Sequence, residues 1–333
     1  MEIKQALLAL ANKKDVSEDL LMKCFDDLFQ GKLTPSQAGA FLFGLKTKGE
    51  THSELFPAVT TALKYAVKVD VTDIADKTID TCGTGGDGKM SFNCSTAVAL
   101  YLADMGYKVV KHGNKGVSSK CGSADILEEM GIPFLKEPME IKSFLNNRNF
   151  VFLFAPFFHP AFKYVAPVRI ELGIPTIFNV MGPLLNPANP THQLLGVGDK
   201  KYMDTMAKVL QLKGIKRAAV VHGDGFDEIT PTGETQVILI EENNIKKFTI
   251  TPEEFEIKRC SEQDLKIKDK NQSLEIMKLL FEGNAPQPIK DMVALNLGMA
   301  LYLLNENMRL KDAVKSARQR IDKGLKKGRS LFL

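Results

Sequence analysis

Residues 111–125, KHGNKGVSSKCGSAD, crowd lysine, histidine, asparagine, serine and glycine into a stretch with little side-chain bulk. That composition suits a loop that wraps an anion with backbone N–H groups and hydroxyls, because small residues let the chain approach its ligand closely. Lys111 and His112 end a short apolar run, Asn114 to Ser119 carry the small polar groups, and Lys120 to Ser123 lead into ADILEEMG, a helix that Ser123 is placed to cap. A second stretch, DTCGTGGDGKMSFNCST, offers the same chemistry. An apolar run passes into Gly83-Thr84-Gly85-Gly86-Asp87-Gly88, after which Asn93, Ser95 and Thr96 open a helix. A helix N-terminus adds partial positive charge and unsatisfied donors, so a polyphosphate fits there. The P-loop pattern G-x-x-x-x-G-K-[ST] does not fit. The third stretch, VVHGDGFDEIT, reaches His222 and then presents Asp224, Asp227 and Glu228. Adjacent carboxylates near a phosphate site suit Mg2+, which keeps several waters and needs only one or two carboxylates beside substrate oxygens. Singly, each stretch has a plainer reading: a tight strand-to-helix turn, a solvated strand end, a solvated acidic turn. Together they favour a shared anion site.

These residues need a frame. The first seventy positions read as helices with their own start signals: Ser17 before EDLLMKCFDDLF, Thr34-Pro35, and the capping-box pattern Thr51-His52-Ser53-Glu54. From about residue 75, short apolar runs (KTIDTCG, YKVVKHG, NFVFLFAP, HQLLGVG, KRAAVVHG) alternate with helical patterns such as STAVALYLADMG and KYMDTMAKVLQLKG. That alternation predicts an α/β fold with a mainly parallel central sheet covered by helices, beside a small all-helical N-terminal domain. Residues 230–257 read as antiparallel hairpins turning at Thr232-Gly233 and Asn243-Asn244, and helices return after Asp264. The predicted division is 1–72 helical and 73–333 α/β.

With 44% apolar and 25% charged residues, the 333-residue chain has an ordinary globular composition. A net charge of +4, from 44 basic and 40 acidic residues, permits anionic small molecules without calling for nucleic acid. The five cysteines are scattered without C-x-x-C spacing, which argues against disulfides or zinc and predicts reduced thiols in a cytoplasmic protein. The N-terminal residues do not resemble a signal peptide. The longest uncharged apolar stretch, FVFLFAPFF at 150–158, is too short to cross a bilayer, so no membrane association is expected.

GTGGD, NCST, KHGNKGVSSKCGSAD, FLFAPFFHPAFKYVAPVRIELGIPTIFNVMGPLLNPA and HGDGFDE as a set resemble the anthranilate phosphoribosyltransferases, over nearly the whole chain. The resemblance implies transfer of 5-phosphoribose from phosphoribosyl pyrophosphate to the amine of anthranilate, in tryptophan biosynthesis. It implies a cleft between the two domains, a homodimer through the helical domain, a segment at about 165–185 that returns to that domain, and two Mg2+ ions, one bridged to the pyrophosphate. Phosphoribosyl pyrophosphate contacts carry over to Gly83, Gly86, Asp87, Ser91, Asn93, Cys94, Ser95, Thr96, Lys111, His112, Gly113, Asn114, Lys115, Gly116, Val117, Ser118, Ser119 and Ser123. Anthranilate contacts carry over to Gly83, Asn114, His159 and Arg169, with Gly182-Pro183 shaping the wall, and metal ligation to Ser95, Asp227 and Glu228. Lys111, Asn114 and Arg169 are the residues expected to act on the reaction. Arg169 can bind a carboxylate, although APVRIELG alone reads as an amphipathic helix surface. Departures from the family pattern are small: Ser91 stands where threonine is frequent, Lys115 where arginine is usual, and Cys94 and Cys121 where small or apolar residues are common. Two rival readings are a pyrimidine nucleoside phosphorylase, which shares the KHGN region, and a non-catalytic homologue that binds nucleic acid.

Overall fold

The computed structural model describes residues 2–116, 122–242 and 244–325. Four helices come first: α1 (Glu2–Ala11), α2 (Glu18–Phe29), α3 (Pro35–Lys48) and α4 (His52–Lys64). The start signals work as local chemistry demands. Thr34 accepts from the Gln37 N–H at 3.3 Å while Gln37 Oε1 accepts from the Thr34 N–H at 3.0 Å, and Glu54 Oε2 accepts from the Thr51 N–H at 3.2 Å. Ser17 is the N-cap of α2 but makes no side-chain cap bond. Glu54 is fully buried and is neutralised by Lys48 at 2.8 Å, tying the end of α3 to the start of α4.

The rest of the chain builds one seven-stranded sheet in the order β3-β2-β1-β4-β5-β6-β7. Its strands are β1 (Thr78–Gly83), β2 (Lys108–Gly113), β3 (Phe150–Phe154), β4 (His192–Gly196), β5 (Arg217–Gly223), β6 (Thr235–Glu241) and β7 (Asn244–Ile250). The five strands from β3 to β5 run parallel, and β6 and β7 add an antiparallel edge. The chain runs outward from β1 through β2 to β3 and then crosses back to place β4 on the other side of β1. The strand order therefore switches between β1 and β4, where an open α/β sheet forms its crevice.

Between the strands lie α5 (Cys94–Asp104), α6 (Ser123–Glu129), α7 (Pro138–Arg148), α8 (Ala155–Phe158), α9 (Ala166–Leu172), α10 (Ile177–Met181) and α11 (Met203–Leu212); α12 (Lys270–Phe281), α13 (Gln287–Leu304) and α14 (Leu310–Asp322) follow the sheet. Helix α5 is apolar on every side because it is sandwiched between the sheet and α13. The segment between β3 and β4 leaves the sheet. Its residues Val165, Val168, Ile177, Phe178 and Met181 share a core with Phe25, Phe29, Phe41 and Leu45 of the helical unit, and that core continues through α11 onto one face of the sheet. Phe162 stacks on Phe29 with centroids 5.5 Å apart. Among the described residues no helix is long and apolar enough to cross a membrane.

Candidate functional site

The loops singled out in the sequence all leave the carboxyl ends of parallel strands. Two of them, after β1 and β5, meet at the switch point with the turn that follows β4. A side chain at Gly196, at the end of β4, would place its Cβ 1.4 Å from the Asp227 carbonyl oxygen, so only glycine lets the turn after β5 lie across the strand ends. Asp227 Oδ2 there accepts from the Gly85 N–H at 2.7 Å. The Thr84 N–H donates to the Gly196 carbonyl at 3.0 Å, and Gly198 N–H to Thr84 Oγ1 at 3.0 Å. Gly86 turns the loop at φ +75°, a conformation that side chains resist.

This packing crowds three carboxylates. Burial, followed by the charge of Asp87, pushes Asp227 up to about 7. Burial, then Asp227 and Asp87, hold Glu228 well above the usual carboxylate range. Ser91 donates to Glu228 Oε2 at 3.3 Å. Asp87 Oδ1 accepts from the Lys89 N–H at 3.1 Å, but its Oδ2 is buried with no partner among the described residues. Ser95, Asp227 and Glu228 line one small cavity of about 10 Å³, with room for a single water-sized occupant. A cation would relieve both the repulsion and the orphaned oxygen. Among the described residues no three acidic, histidine or cysteine side chains form a ready cage. A carboxylate pair with a hydroxyl, open to substrate oxygens and water, fits Mg2+. Asn296 of α13 fixes the turn: it accepts from the Ile229 N–H at 3.0 Å and donates to the Ile229 carbonyl at 2.7 Å. An asparagine inside an apolar helix gave no sequence signal of this work.

Several expected ligand contacts sit differently. Lys111 is 1% exposed; its Nζ donates to the Thr81 carbonyl and, at 3.3 Å, to Ser95 Oγ. In this arrangement it acts through Ser95 and through its charge rather than as an exposed hook. Burial lowers its pKa, and buried Asp80 opposes that shift. The Cys94 side chain is fully buried against α13, with Sγ 3.9 Å from the Met292 carbonyl, which withdraws the thiol from ligand contact. Thr96 is likewise turned into the core. Asn93 is the N-cap of α5, and its Oδ1 accepts from Ser273 Oγ at 2.8 Å.

In the second loop the organiser is Asp125, whose Oδ2 accepts from the Gly116 N–H at 3.0 Å and the Gly122 N–H at 2.8 Å. Its carboxylate starts the helix at Gly122, so Ser123 is the first helical residue rather than the cap. Ser123 Oγ would lie 2.4 Å from a Cβ at Gly113, which joins the end of β2 to α6. Asn114 is exposed, and Lys115 pairs with Glu128 at 2.9 Å. Val117, Ser118, Ser119, Lys120 and Cys121 lie outside the described residues.

Opposite these loops stand residues of the segment between β3 and β4. His159 and His112 are buried with their Nε2 atoms 3.2 Å apart, so one ring donates and the other accepts. Burial depresses both, His159 to about 4, and the pair is neutral at pH 7. Arg169 is half-buried over the Phe178 ring at 5.5 Å, touches Asn179 Oδ1 at 3.4 Å, and has no carboxylate of the described residues within ion-pair distance. Burial lowers its pKa without removing its charge. Gly182-Pro183 is held from beneath: Gln193 Nε2 donates to the Pro183 carbonyl at 2.6 Å and Lys213 Nζ to the Leu184 carbonyl at 2.6 Å. Asn186 donates to Asp80 at 2.8 Å and to the Val110 carbonyl at 2.7 Å.

Residues 75–326 match the model of the glycosyl transferase family, a/b domain, and residues 4–66 that of the glycosyl transferase family, helical bundle domain. The anthranilate phosphoribosyltransferase of Nitratidesulfovibrio vulgaris is 47% identical over 318 residues, 94% of each chain. The crystal structure of the Thermus thermophilus anthranilate phosphoribosyltransferase superimposes with a TM-score of 0.90 at 34% identity, over 99% of both chains. The Saccharomyces cerevisiae enzyme in complex with PRPP and Mg gives 0.87 at 26% identity, over 99% of this chain and 96% of that one. Matched through its helical and α/β units alike, the chain belongs to the glycosyl transferase family and, within it, to the anthranilate phosphoribosyltransferases.

Proposed function

We propose that the crevice is the active site in which this chain transfers 5-phosphoribose from phosphoribosyl pyrophosphate to the amine of anthranilate, giving N-(5-phosphoribosyl)anthranilate and pyrophosphate. The observation that carries the site assignment is the crowding of Asp87, Asp227 and Glu228 beside glycine-rich turns, while Arg169 lies without a carboxylate partner among the described residues. The acids call for a cation and the turns for a polyanion; Arg169 calls for a carboxylate.

Ser95, Asp227 and Glu228 would hold Mg2+, two ions in all, and Asp87 lies close enough to bias the same site. A Mg2+ ion held by these residues would supply positive charge to offset the charge developing on the departing pyrophosphate. The turns at 83–88 and 113–116 face the phosphates with the backbone N–H groups left over once Thr84, Gly85, Lys115 and Gly116 have bonded within the protein, and Ser91, Asn93, Ser95 and Ser123 frame them. Lys111 holds the Ser95 hydroxyl and adds positive potential from below. Arg169 binds the anthranilate carboxylate, Asn114 orients the amine, and His159 with Gly182-Pro183 bounds the ring. An aromatic amine is neutral at pH 7 and attacks without a strong base, so positioning contributes most of the rest and no residue forms a covalent adduct.

Residues 1–72 and 73–333 act as two domains, with about 165–185 returned to the first. A homodimer through the helical domain is supported by Leu8, Phe43 and Ile170, which are 66%, 50% and 80% exposed on helices that pack consecutively, α1 on α3 and α3 on α9. The dimer and a cytoplasmic setting belong to this reading. No feature of the site favours a nucleoside or nucleic acid.

The reaction is tested by following anthranilate fluorescence after adding phosphoribosyl pyrophosphate, with Mg2+ and with a chelator. Metal-dependent loss of fluorescence is expected; none from folded protein would sink the reading.

A further inference from the structure

A cavity of about 930 Å³ lies at the opposite end of the sheet from the crevice. One wall is α2, α4 and the chain leaving α4; the other is residues 186–189 and the end of α11. The chain leaving α4 is joined to the second wall by the backbone bond from Val69 to the Pro187 carbonyl at 3.2 Å, and Val67 bonds to the Phe158 carbonyl at 2.8 Å beside it. An occupant would therefore sit where the chain crosses from the helical unit to the sheet.

The lining has one sign of unspent charge. Of its four lysines, Lys64 is paired with Asp26 at 2.9 Å and Lys23 with Glu2 at 3.0 Å. Lys68 and Lys213 have no carboxylate of the described residues within ion-pair distance. The remaining surface includes Phe56, Leu63 and Leu212. A buried threonine, Thr61, also lines it, and its hydroxyl has no hydrogen-bond partner among the described residues. Two ammoniums without a direct ion-pair partner, Lys213 feeling only the more distant charge of buried Asp80, together with an apolar wall and an unsatisfied hydroxyl complement a small anion with an apolar body. Burial lowers Lys213 to about 8, and an anion beside it would favour its charged form.

Lys213 also reaches the other way. Its ammonium donates to the Leu184 carbonyl, one residue beyond the Gly182-Pro183 wall of the acceptor pocket. We infer that the cavity is a second ligand site, for a small aromatic monoanion, and that its occupancy is felt at the acceptor pocket through Lys213 and Leu184. The coupling rests on the proposed placement of anthranilate; the site itself does not.

The probe is 8-anilinonaphthalene-1-sulfonate, titrated by its own fluorescence into the full chain with and without phosphoribosyl pyrophosphate, Mg2+ and anthranilate. One saturable equivalent is expected, undisplaced by the substrates and weakened about tenfold by Lys68→Glu and by Lys213→Met. Lys68 is exposed and far from the crevice, so Lys68→Glu preserves the fold even if Lys213→Met does not. Steady-state pyrophosphate release should show the KM for anthranilate shifting at least about twofold with probe bound, an effect absent in Lys68→Glu. Displacement by anthranilate, or binding indifferent to both substitutions, would overturn the site. Lys68-dependent binding with an unchanged KM would overturn the coupling. Lys68-dependent binding to a chain without turnover would support the site while removing the proposed reaction.

Discussion

At the scale of single residues, the site joins groups that would be costly alone. Three crowded, partly buried acids repel one another, and an arginine lies partly desolvated with no acid of the described residues beside it; each arrangement lowers in energy when a ligand of opposite charge arrives. Arg169→Ala should raise the KM for anthranilate about 10- to 100-fold, the loss of a charge-assisted contact, while the KM for phosphoribosyl pyrophosphate stays within about twofold. Steady-state kinetics with each substrate varied in turn checks this, and a change confined to phosphoribosyl pyrophosphate would misassign the arginine. Asp227→Asn and Glu228→Gln should each raise the Mg2+ needed for half-maximal rate and cut turnover by about a hundredfold or more. Their apparent stability without metal should rise or hold, because removing one charge relieves the other two. Ordinary Mg2+ dependence in both variants would remove them from the metal site.

At the scale of elements, loops at strand ends work because rigid strands and helices hold their two ends. Asp125 shows this best: one carboxylate on α6 gathers the N–H groups of Gly116 and Gly122, on either side of the small-residue loop. Asp125→Ala leaves both donors without that acceptor. It should raise the KM for phosphoribosyl pyrophosphate about tenfold and lower stability by about 1–2 kcal/mol, with the KM for anthranilate little changed. Kinetics paired with urea unfolding separates the two effects, and a stability loss with unaltered kinetics would make Asp125 a helix cap only. Asn296 is a parallel case, holding the chain just after Glu228 from a helix distant in sequence.

At the scale of the whole molecule, burial sets how stability responds to acid. Burial depresses both His159 and His192 to about 4, from an ordinary value of 6.5. The unfolded chain thus binds protons that the folded chain refuses, and stability present above pH 6.5 is lost as pH falls toward 4. For each group the difference is about 3 kcal/mol. Buried Asp80, Asp227 and Glu228, held above the usual carboxylate range, act with the opposite sign, so the contribution of His192 is read as a difference: from pH 7.5 to 4.5 the urea midpoint of the parent chain should fall relative to that of His192→Gln, which is remote from the crevice. A profile unchanged by that substitution would exclude His192 as a source.

The amino-acid sequence by itself determined the local and periodic features. Strands at KTIDTCG, YKVVKHG, NFVFLFAP, HQLLGVG and KRAAVVHG, the capped starts of α3 and α4, and the glycine-rich loops were all legible, because hydrogen bonding and side-chain periodicity act within a few residues. The three loops and the acid pair were legible as candidate chemistry, and motif resemblance named the residues proposed to hold the acceptor. Tertiary structure alone decided what meets what. It set β4 beside β1, and so made Gly196 the floor under Asp227; it buried Lys111 beneath Ser95 and turned Cys94 into the core. It also recruited Asn296, Gln193 and Lys213 as supports. The physical reason is that burial and charge coupling depend on distance in space, and neighbours 70 or 140 residues apart leave no mark on the local pattern.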